Sequence, residues 1–356
     1  MTTDVNVPAR TVAIDTLRTC LVRCHERIGF PPTDAHLIAE TLLDSELRGY
    51  DDHGVIMLGN HAEWVRSGTI DPAPTLTVVR QTPVTALLDG GRASGVVAST
   101  RAMDLALEKA AAHGLACVGV RNAGHFVAAA PYVERAARAG FIAFACANTT
   151  ALMAPPGSAT RVFGTNPLAY GFPSGSHDPL VFDMATSAIA GGKLRIAALE
   201  GRAVAPGLLL DPAGNPSTDP SDYLRGGPVL PLGGEAAHKG FGLAMVVDAL
   251  AGVLLGTGFA LTAGVAKDGE GKLFIALDPE TFLLRAEFLA RMDEQIQQVK
   301  AASQLAGGET LYPGERSQRR RRELLATGVT SLGSPAWDAL SKTCAAYSVA
   351  PPPRLA

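Results

Sequence analysis

A surplus of charge of either sign is missing from this sequence: 31 Lys and Arg stand against 34 Asp and Glu, for a formal net charge of −3. No global basic field recruits nucleic acid or an anionic membrane, so the expected partners are small molecules or copies of the chain itself. A disulfide or zinc framework is missing too. Cys20, Cys24, Cys117, Cys146 and Cys344 are odd in number and scattered, mostly in apolar stretches, and read as reduced core residues of a cytoplasmic protein. Cys20 and Cys24 lie four apart on one helical face, but no second Cys or His pair follows at zinc spacing, and no metal is expected. The opening MTTDVNVPAR carries no apolar h-region, so no signal peptide is expected.

Missing motifs narrow the chemistry further. The strand-like TALLD leads into GGRASG, but the glycines fall at 90, 91 and 95, so the dinucleotide pattern GxGxxG fails, and Val96 after Gly95 breaks the P-loop pattern. A tight strand-to-helix turn is the reading for that segment. There is no GxSxG elbow and no HExxH helix, which argues against serine hydrolases and zinc proteases. The apolar run from Phe241 to Ala266 exceeds the roughly 20 residues that span a bilayer. Asp248 lies inside it, and Gly252, Gly256, Gly258 and Gly264 break it. A buried helix followed by a glycine-rich loop is expected there, with no membrane partner.

What the chain does have is core: 356 residues, 47% of them hydrophobic, suffice for two domains or one elaborate one. Between Asp34 and Arg48, Leu37, Ile38, Leu42 and Leu47 lie near one helical face, and Gly49 follows where a left-handed cap belongs. A second helix is expected to start at His53, with Asp52 as N-cap, Leu58, Ala62 and Val65 as buried stripe and Gly68 as stop. After Asp71 to Pro74 the pattern turns α/β. TLTVV, TALLD, LACVGV, FIAFACAN and Leu180 to Met184 read as strands. RAMDLALEKAAAHG, YVERAARAG, Thr186 to Ala198 and a segment from Lys239 read as helices. From Pro279 onward the chain is mainly helical again.

Chemistry concentrates in RGYDDHGVIM, residues 48 to 57. A helix starting at His53 would set the imidazole at the positive end of a helix dipole, where anions are favoured. The dipole lowers the imidazole pKa, while Asp51 and Asp52 raise it. A histidine near neutrality can give a proton to a carbonyl oxygen as hydride reaches its carbon; a plain capped turn is the competing reading. RNAGHF, residues 121 to 126, follows a buried strand and puts His125 in a strand-to-helix loop, where α/β proteins commonly bind ligands. GTNP at 164 to 167 and FDMATS at 182 to 187 are two further polar loops.

Six segments in order, RGYDDHGV, NAGHF, PPGSATRVFGTNPLAYGFP, FDMATSAIAGGK, HKGFGLAMVVDAL and YPGER, make the chain resemble the type-2 malate/L-lactate dehydrogenase family from about residue 10 to 345. That family also holds ureidoglycolate dehydrogenase, diketogulonate reductase, sulfolactate dehydrogenase and Δ1-piperideine-2-carboxylate reductase. The resemblance implies an enzyme using NAD or NADP to reduce 2-oxo acids or related imines, and a homodimer. It implies an α/β fold with a non-Rossmann cofactor domain, residues 76–294, around a mixed, largely antiparallel sheet. A helical substrate and dimer domain would combine residues 1–75 and 295–356. His53, beside Asp52, becomes the general acid and Thr165 a substrate contact. Gly191 and Gly192 line the substrate side, and Lys193 looks like the malate and lactate branch. His125, Phe126, Val127, Ala128, Ala129, Asp183, Met184, Ala185, His238, Lys239, Pro313, Gly314, Glu315 and Arg316 fall to the cofactor site.

The departures matter equally. Asp52 stands where the family commonly has serine, and Met57 where it has an arginine expected to grip the substrate carboxylate; a thioether does not replace a guanidinium. Either Arg48 takes over the carboxylate, or the substrate is less anionic or carries an amine that pairs with Asp52, or activity is lost. A cofactor-binding protein without turnover is the reading from a different class. The run Arg319 to Arg322 reads as a solvated helix face paired with Glu323. Its functional alternative is that Arg316 or one of the run meets the extra phosphate of NADP.

Overall fold

A computed structural model describes residues 10–264 and 269–355. The chain opens with β1 (Arg10–Ala13), α1 (Ile14–Ile28) and α2 (Pro32–Arg48), makes a single 3-10 turn at Asp51–His53, and continues as α3 (Met57–Arg66). An α/β stretch follows: β2 (Thr77–Gln81), β3 (Thr85–Ala93), α4 (Gly95–His113), β4 (Leu115–Ala123), α5 (Ala130–Arg138), β5 (Ile142–Ala147), β6 (Leu168–Phe172) and β7 (Leu180–Met184). Next come α6 (Gly191–Leu199), the short β8 (Leu209–Leu210) and β9 (Pro216–Ser217), α7 (Ser221–Leu224), α8 (Ala237–Asp248) and β10 (Glu270–Leu277). The last elements are α9 (Arg285–Lys300), α10 (Glu315–Thr327), β11 (Val329–Leu332) and α11 (Ser334–Ala346).

Two compact units result. One is drawn from the segments before Pro74 and after Arg316, the other is Pro74–Arg316. The boundary expected at residue 294 would therefore cut α9, which belongs with the second unit. In the first unit α2 starts with proline, whose fixed φ suits a first helical turn, and ends at Gly49 in the left-handed region, φ 82°. β1 and β11 pair antiparallel, Arg10 opposite Leu332, which joins the two ends of the sequence.

The second unit is built on a seven-stranded sheet in the order β2-β3-β4-β10-β5-β6-β7. Only β3 and β4 run parallel; the other five ladders are antiparallel. β10 is central although its sequence, EGKLFIAL, begins with two charges. Lys272 is fully buried and donates to the carbonyls of Ala123 (3.2 Å) and Glu270 (2.8 Å), which is how a buried ammonium is tolerated. GGRASG closes the end of β3 with a register shift between Asp89 and Ala93, and α4 then starts at Gly95.

Two expected elements are corrected. Thr186 to Ala190 is not helical: the Thr186 N–H and hydroxyl both bond the Thr165 carbonyl, and the Ser187 hydroxyl bonds the Ile189 carbonyl, local bonds that compete with a helix. The apolar run is less buried than expected. Of the helical span Gly234–Val253 only about a third is buried. Its inner face packs Val247, Ala251 and the following Leu255 against Cys146, Leu168 and Leu273 of the sheet. Leu243, Val246, Val253 and Leu254 are exposed on the other face. Asp248 is structural, accepting from the Asn148 amide (3.2 Å) and the Ala260 N–H (2.8 Å). Residues 265 and 266, the end of that run, lie outside the described residues.

Candidate active site

In the first unit, α2 ends so that its last turn supports the segment carrying His53. The 3-10 turn is closed by the His53 N–H on the Tyr50 carbonyl at 2.8 Å. An α-helix does not begin at His53. α3 starts at Met57 without a side-chain cap, so Asp52 is no N-cap and the helix-dipole argument falls away. Asp52, 7% exposed, turns instead to its neighbour, its Oδ1 lying 3.1 Å from His53 Nδ1. A carboxylate on one ring nitrogen orients the imidazole and favours its protonated form. The buried stripe also differs: Leu58 is buried, but Ala62 and Val65 are half-buried, and Met57 and His61 are the other buried positions of α3.

Beneath this turn lies Glu46, which no sequence pattern marks. Its Oε2 accepts the Val55 N–H at 2.9 Å, and a Cβ on Gly54 would overlap that same oxygen. Burial pushes the Glu46 carboxyl up to about 7, against a lowering by the Val55 bond. A second buried group of this unit is His25, whose Nδ1 meets the Leu21 carbonyl (2.8 Å) and whose Nε2 meets His61 Nδ1 (3.1 Å). Burial holds its imidazole down at about 4.

Arg48 does not stand open to a substrate. Its side chain is 4% exposed and its Nε lies 2.5 Å from Asp44 Oδ2, so the expectation that it takes over a carboxylate meets a buried ion pair already formed. Asp44 also receives Arg321, and the Arg320 side chain covers Gly49. The arginine run sits mid-helix in α10: Arg320, Arg322 and Glu323 are exposed, as expected of a solvated face, while Arg321 is spent on the end of α2. Met57 is 6% exposed, with its sulfur 3.4 Å from the Asn60 amide nitrogen.

In the second unit, the loop from Gly124 to Ala129 links β4 to α5. Gly95 has to be glycine because a Cβ there would overlap the carbonyls of Gly124 and His125. His125 Nδ1 accepts from the Val127 N–H at 3.1 Å, and Val127 takes φ 68°, strained for a β-branched residue. Phe126, Val127, Ala128 and Ala129 are all buried, so they present backbone more than side chain. Asp183, near the end of β7, accepts the N–H groups of Ala129 (3.0 Å) and Ala130 (2.8 Å), capping α5 from another strand; Met184 and Ala185 follow, half-buried.

Further bonds draw the other loops in. The Thr165 N–H donates to the Thr149 hydroxyl (3.1 Å), and the Thr165 carbonyl receives Thr186. Asn166, at φ 35°, accepts from the Thr149 N–H and donates to the Ala244 carbonyl in α8 at 2.9 Å. The Leu232 N–H bonds the Thr186 carbonyl, and His238 and Lys239 are exposed in the first turn of α8. Gly191 opens α6 against the Tyr223 hydroxyl, with Gly192 half-buried and Lys193 exposed behind it. The Pro313 carbonyl accepts from the Val181 N–H of β7 (3.1 Å), Gly314 turns at φ 90°, Glu315 binds Lys300 (2.5 Å), and Arg316 is exposed. Asn148, Asn166 and Lys272 were not legible as organisers, because each ties its own segment to a partner 78 to 149 residues away in sequence.

An α/β protein with a carboxylate-bound histidine and a set of linked loops on a mixed sheet belongs to a recognisable class. Residues 12–341 match the model of the malate/L-lactate dehydrogenase family, and the chain belongs to that family. It is 38% identical over 305 residues to an L-sulfolactate dehydrogenase of Methanothermobacter thermautotrophicus, covering 83% of this chain and 86% of the relative. It is 34% identical over 324 residues to a Δ1-pyrroline-2-carboxylate/Δ1-piperideine-2-carboxylate reductase of Pseudomonas putida, covering 88% and 91%. The crystal structure of malate dehydrogenase from Entamoeba histolytica superposes with a TM-score of 0.91 at 28% identity, covering 96% of this chain and 99% of that one.

Proposed function

We propose that this chain is an NAD(P)-dependent oxidoreductase that interconverts a 2-oxo acid and its 2-hydroxy acid, with His53 as the acid that protonates the carbonyl oxygen. The observation that carries this reading is the Asp52 to His53 contact of 3.1 Å in a member of a dehydrogenase family. With Asp52 holding the Nδ1 proton, Nε2 becomes the nitrogen that exchanges a proton with substrate, and the carboxylate supports the imidazolium between turnovers. A bound nicotinamide dinucleotide supplies or accepts the hydride.

The second unit has the donor set for such a cofactor. Lys239 and Arg316 are exposed cations and His238 an exposed imidazole, suited to its phosphates, and the other contacts are assigned to the turn at His125, Phe126, Val127, Ala128 and Ala129, to Asp183, Met184 and Ala185, and to Pro313, Gly314 and Glu315. We assign cofactor binding to this mixed, non-Rossmann sheet unit, and the substrate acid to the first unit. Thr165, Gly191, Gly192 and Lys193 are assigned to the substrate side. Arg316 is the residue to test for NADP over NAD. The exposed stripe of Leu243, Val246, Val253 and Leu254 is apolar surface that a second copy would cover, so a homodimer is the proposed state. Five free thiols fit a reducing cytoplasm.

A second reading is favoured by Asp52 and Met57: a substrate with less negative charge, or an imine whose protonated nitrogen pairs with the Asp52 carboxylate. The deciding experiment follows loss of reduced-nicotinamide absorbance with NADH or NADPH and a panel of 2-oxo acids, each with and without methylamine. Turnover that needs the amine selects the imine reading. His53→Ala is expected to lower kcat by about 10²–10⁴-fold with cofactor Kd unchanged. Normal turnover in that variant refutes the role of His53, and cofactor binding without turnover on any substrate supports a non-catalytic protein.

A further inference from the structure

Three cysteines from opposite ends of the sequence meet inside the first unit. Cys20 and Cys24 lie one turn apart on α1, and Cys344 is in the last turn of α11. Cys344 Sγ is 3.3 Å from Cys20 Sγ and 3.7 Å from Cys24 Sγ, and all three sulfurs lie within 4.8 Å of one another. Their exposures are 4%, 0% and 1%. The chemistry assigned to His53 uses none of them.

We propose that Cys20, Cys24 and Cys344 form a three-sulfur site for one thiophilic monovalent cation, Cu(I). An ion bound to three sulfurs at about 2.3 Å holds them roughly 4 Å apart, close to the spacing found here. A disulfide needs about 2.0 Å, so either short pair would have to close by more than an ångström. The donor set is all sulfur. His25, the residue after Cys24, already spends Nδ1 on the Leu21 carbonyl and Nε2 on His61. Zn(II) completes a tetrahedron with a fourth ligand, which at a three-cysteine site this deeply buried would have to be an admitted water; soft Cu(I) is satisfied by thiolates alone.

Charge points the same way. Cys344 lies at the C-terminal end of α11, where the helix dipole favours a cation. On binding, three Cu–S bonds form, the thiol protons of the three cysteines pass to solvent, and no electron is transferred. The ion then ties α1 to α11.

The test is an anaerobic titration of the reduced full-length chain with Cu(I) held by bicinchoninate, in a Cys117→Ala/Cys146→Ala background that leaves only the three clustered thiols. One Cu(I) per chain is expected, with copper-edge X-ray absorption reporting three sulfur ligands and no nitrogen, and with a raised Tm. Losing groups that merely orient a metal's ligands costs 10–100-fold, so loss of a ligand in Cys344→Ala or Cys24→Ala is expected to cost more than about 100-fold. No uptake from the chelator overturns the proposal, as does copper bound by nitrogen or by two sulfurs, or uptake undiminished in both variants. The background protein decides by its own spectrum should a ligand variant fail to fold.

Discussion

Replacing Glu46 by glutamine keeps the shape of a buried side chain and removes its charge. Glu46 is 3% exposed and its pKa rises from 4.5 to about 7 through burial. A carboxyl raised in this way binds more protons folded than unfolded, so stability falls as pH rises from the unfolded to the folded value and levels off above it. At 1.36 kcal/mol per pKa unit the full effect is about 3 kcal/mol, of which about 2 accrues between pH 5 and pH 8. His25, lowered to about 4, works in the opposite sense: the folded state binds fewer protons, so stability falls as pH drops from 6.5 towards 4. In the unaltered protein the two nearly cancel across the acidic range, and a simple pH profile hides both. Glu46→Gln exposes them. It is expected to be near neutral or slightly destabilising at pH 5, since its new amide N–H groups need acceptors at about 1 kcal/mol, and to gain about 2 kcal/mol relative to that at pH 8. The assay is urea unfolding followed by tryptophan fluorescence. Both tryptophans, Trp64 and Trp337, lie in the first unit, so the signal reports the unit that holds Glu46. An equal effect of the substitution at both pH values would show that Glu46 is not held neutral, and the reasoning fails.

Asp183→Ala strips the acceptor from the Ala129 and Ala130 N–H groups. It is expected to cost about 2 kcal/mol in urea unfolding and to weaken cofactor binding by fluorescence titration; unchanged values on both counts would remove Asp183 from the site. Met57→Arg is expected to raise kcat/KM for simple 2-oxo acids by restoring a guanidinium, and no gain counts against the specificity argument. Val246→Asp places a charge on the exposed stripe of α8, and sedimentation is expected to show a dimer replaced by monomer; an unaffected mass moves the interface elsewhere.

Local sequence sufficed where the physics is local. Gly49 as the left-handed end of α2, the strands TALLD and FIAFACAN, and Leu180 to Met184 as β7 follow from periodicity, turn chemistry and reach of a few residues. The six ordered segments sufficed for the family, because the residues of each sit beside one another in the chain. Long-range pairing was not legible. β10 takes the centre of the sheet despite starting with Glu270 and Lys272, since the carbonyls that satisfy Lys272 include that of Ala123, 149 residues away. Asp52 looked like a helix cap because caps are the common use of an aspartate there, and only the packed turn over Glu46 turns it onto His53 instead. The same holds for Arg48, whose charge is consumed by Asp44, and for Cys344, which reaches Cys20 and Cys24 only because β1 and β11 bring the two ends of the chain together. Residue type and spacing thus determined the family and most elements, and singled out His53 as the candidate acid. The partner of each buried polar group was decided by tertiary structure, because a group removed from water must bond whatever the fold sets beside it.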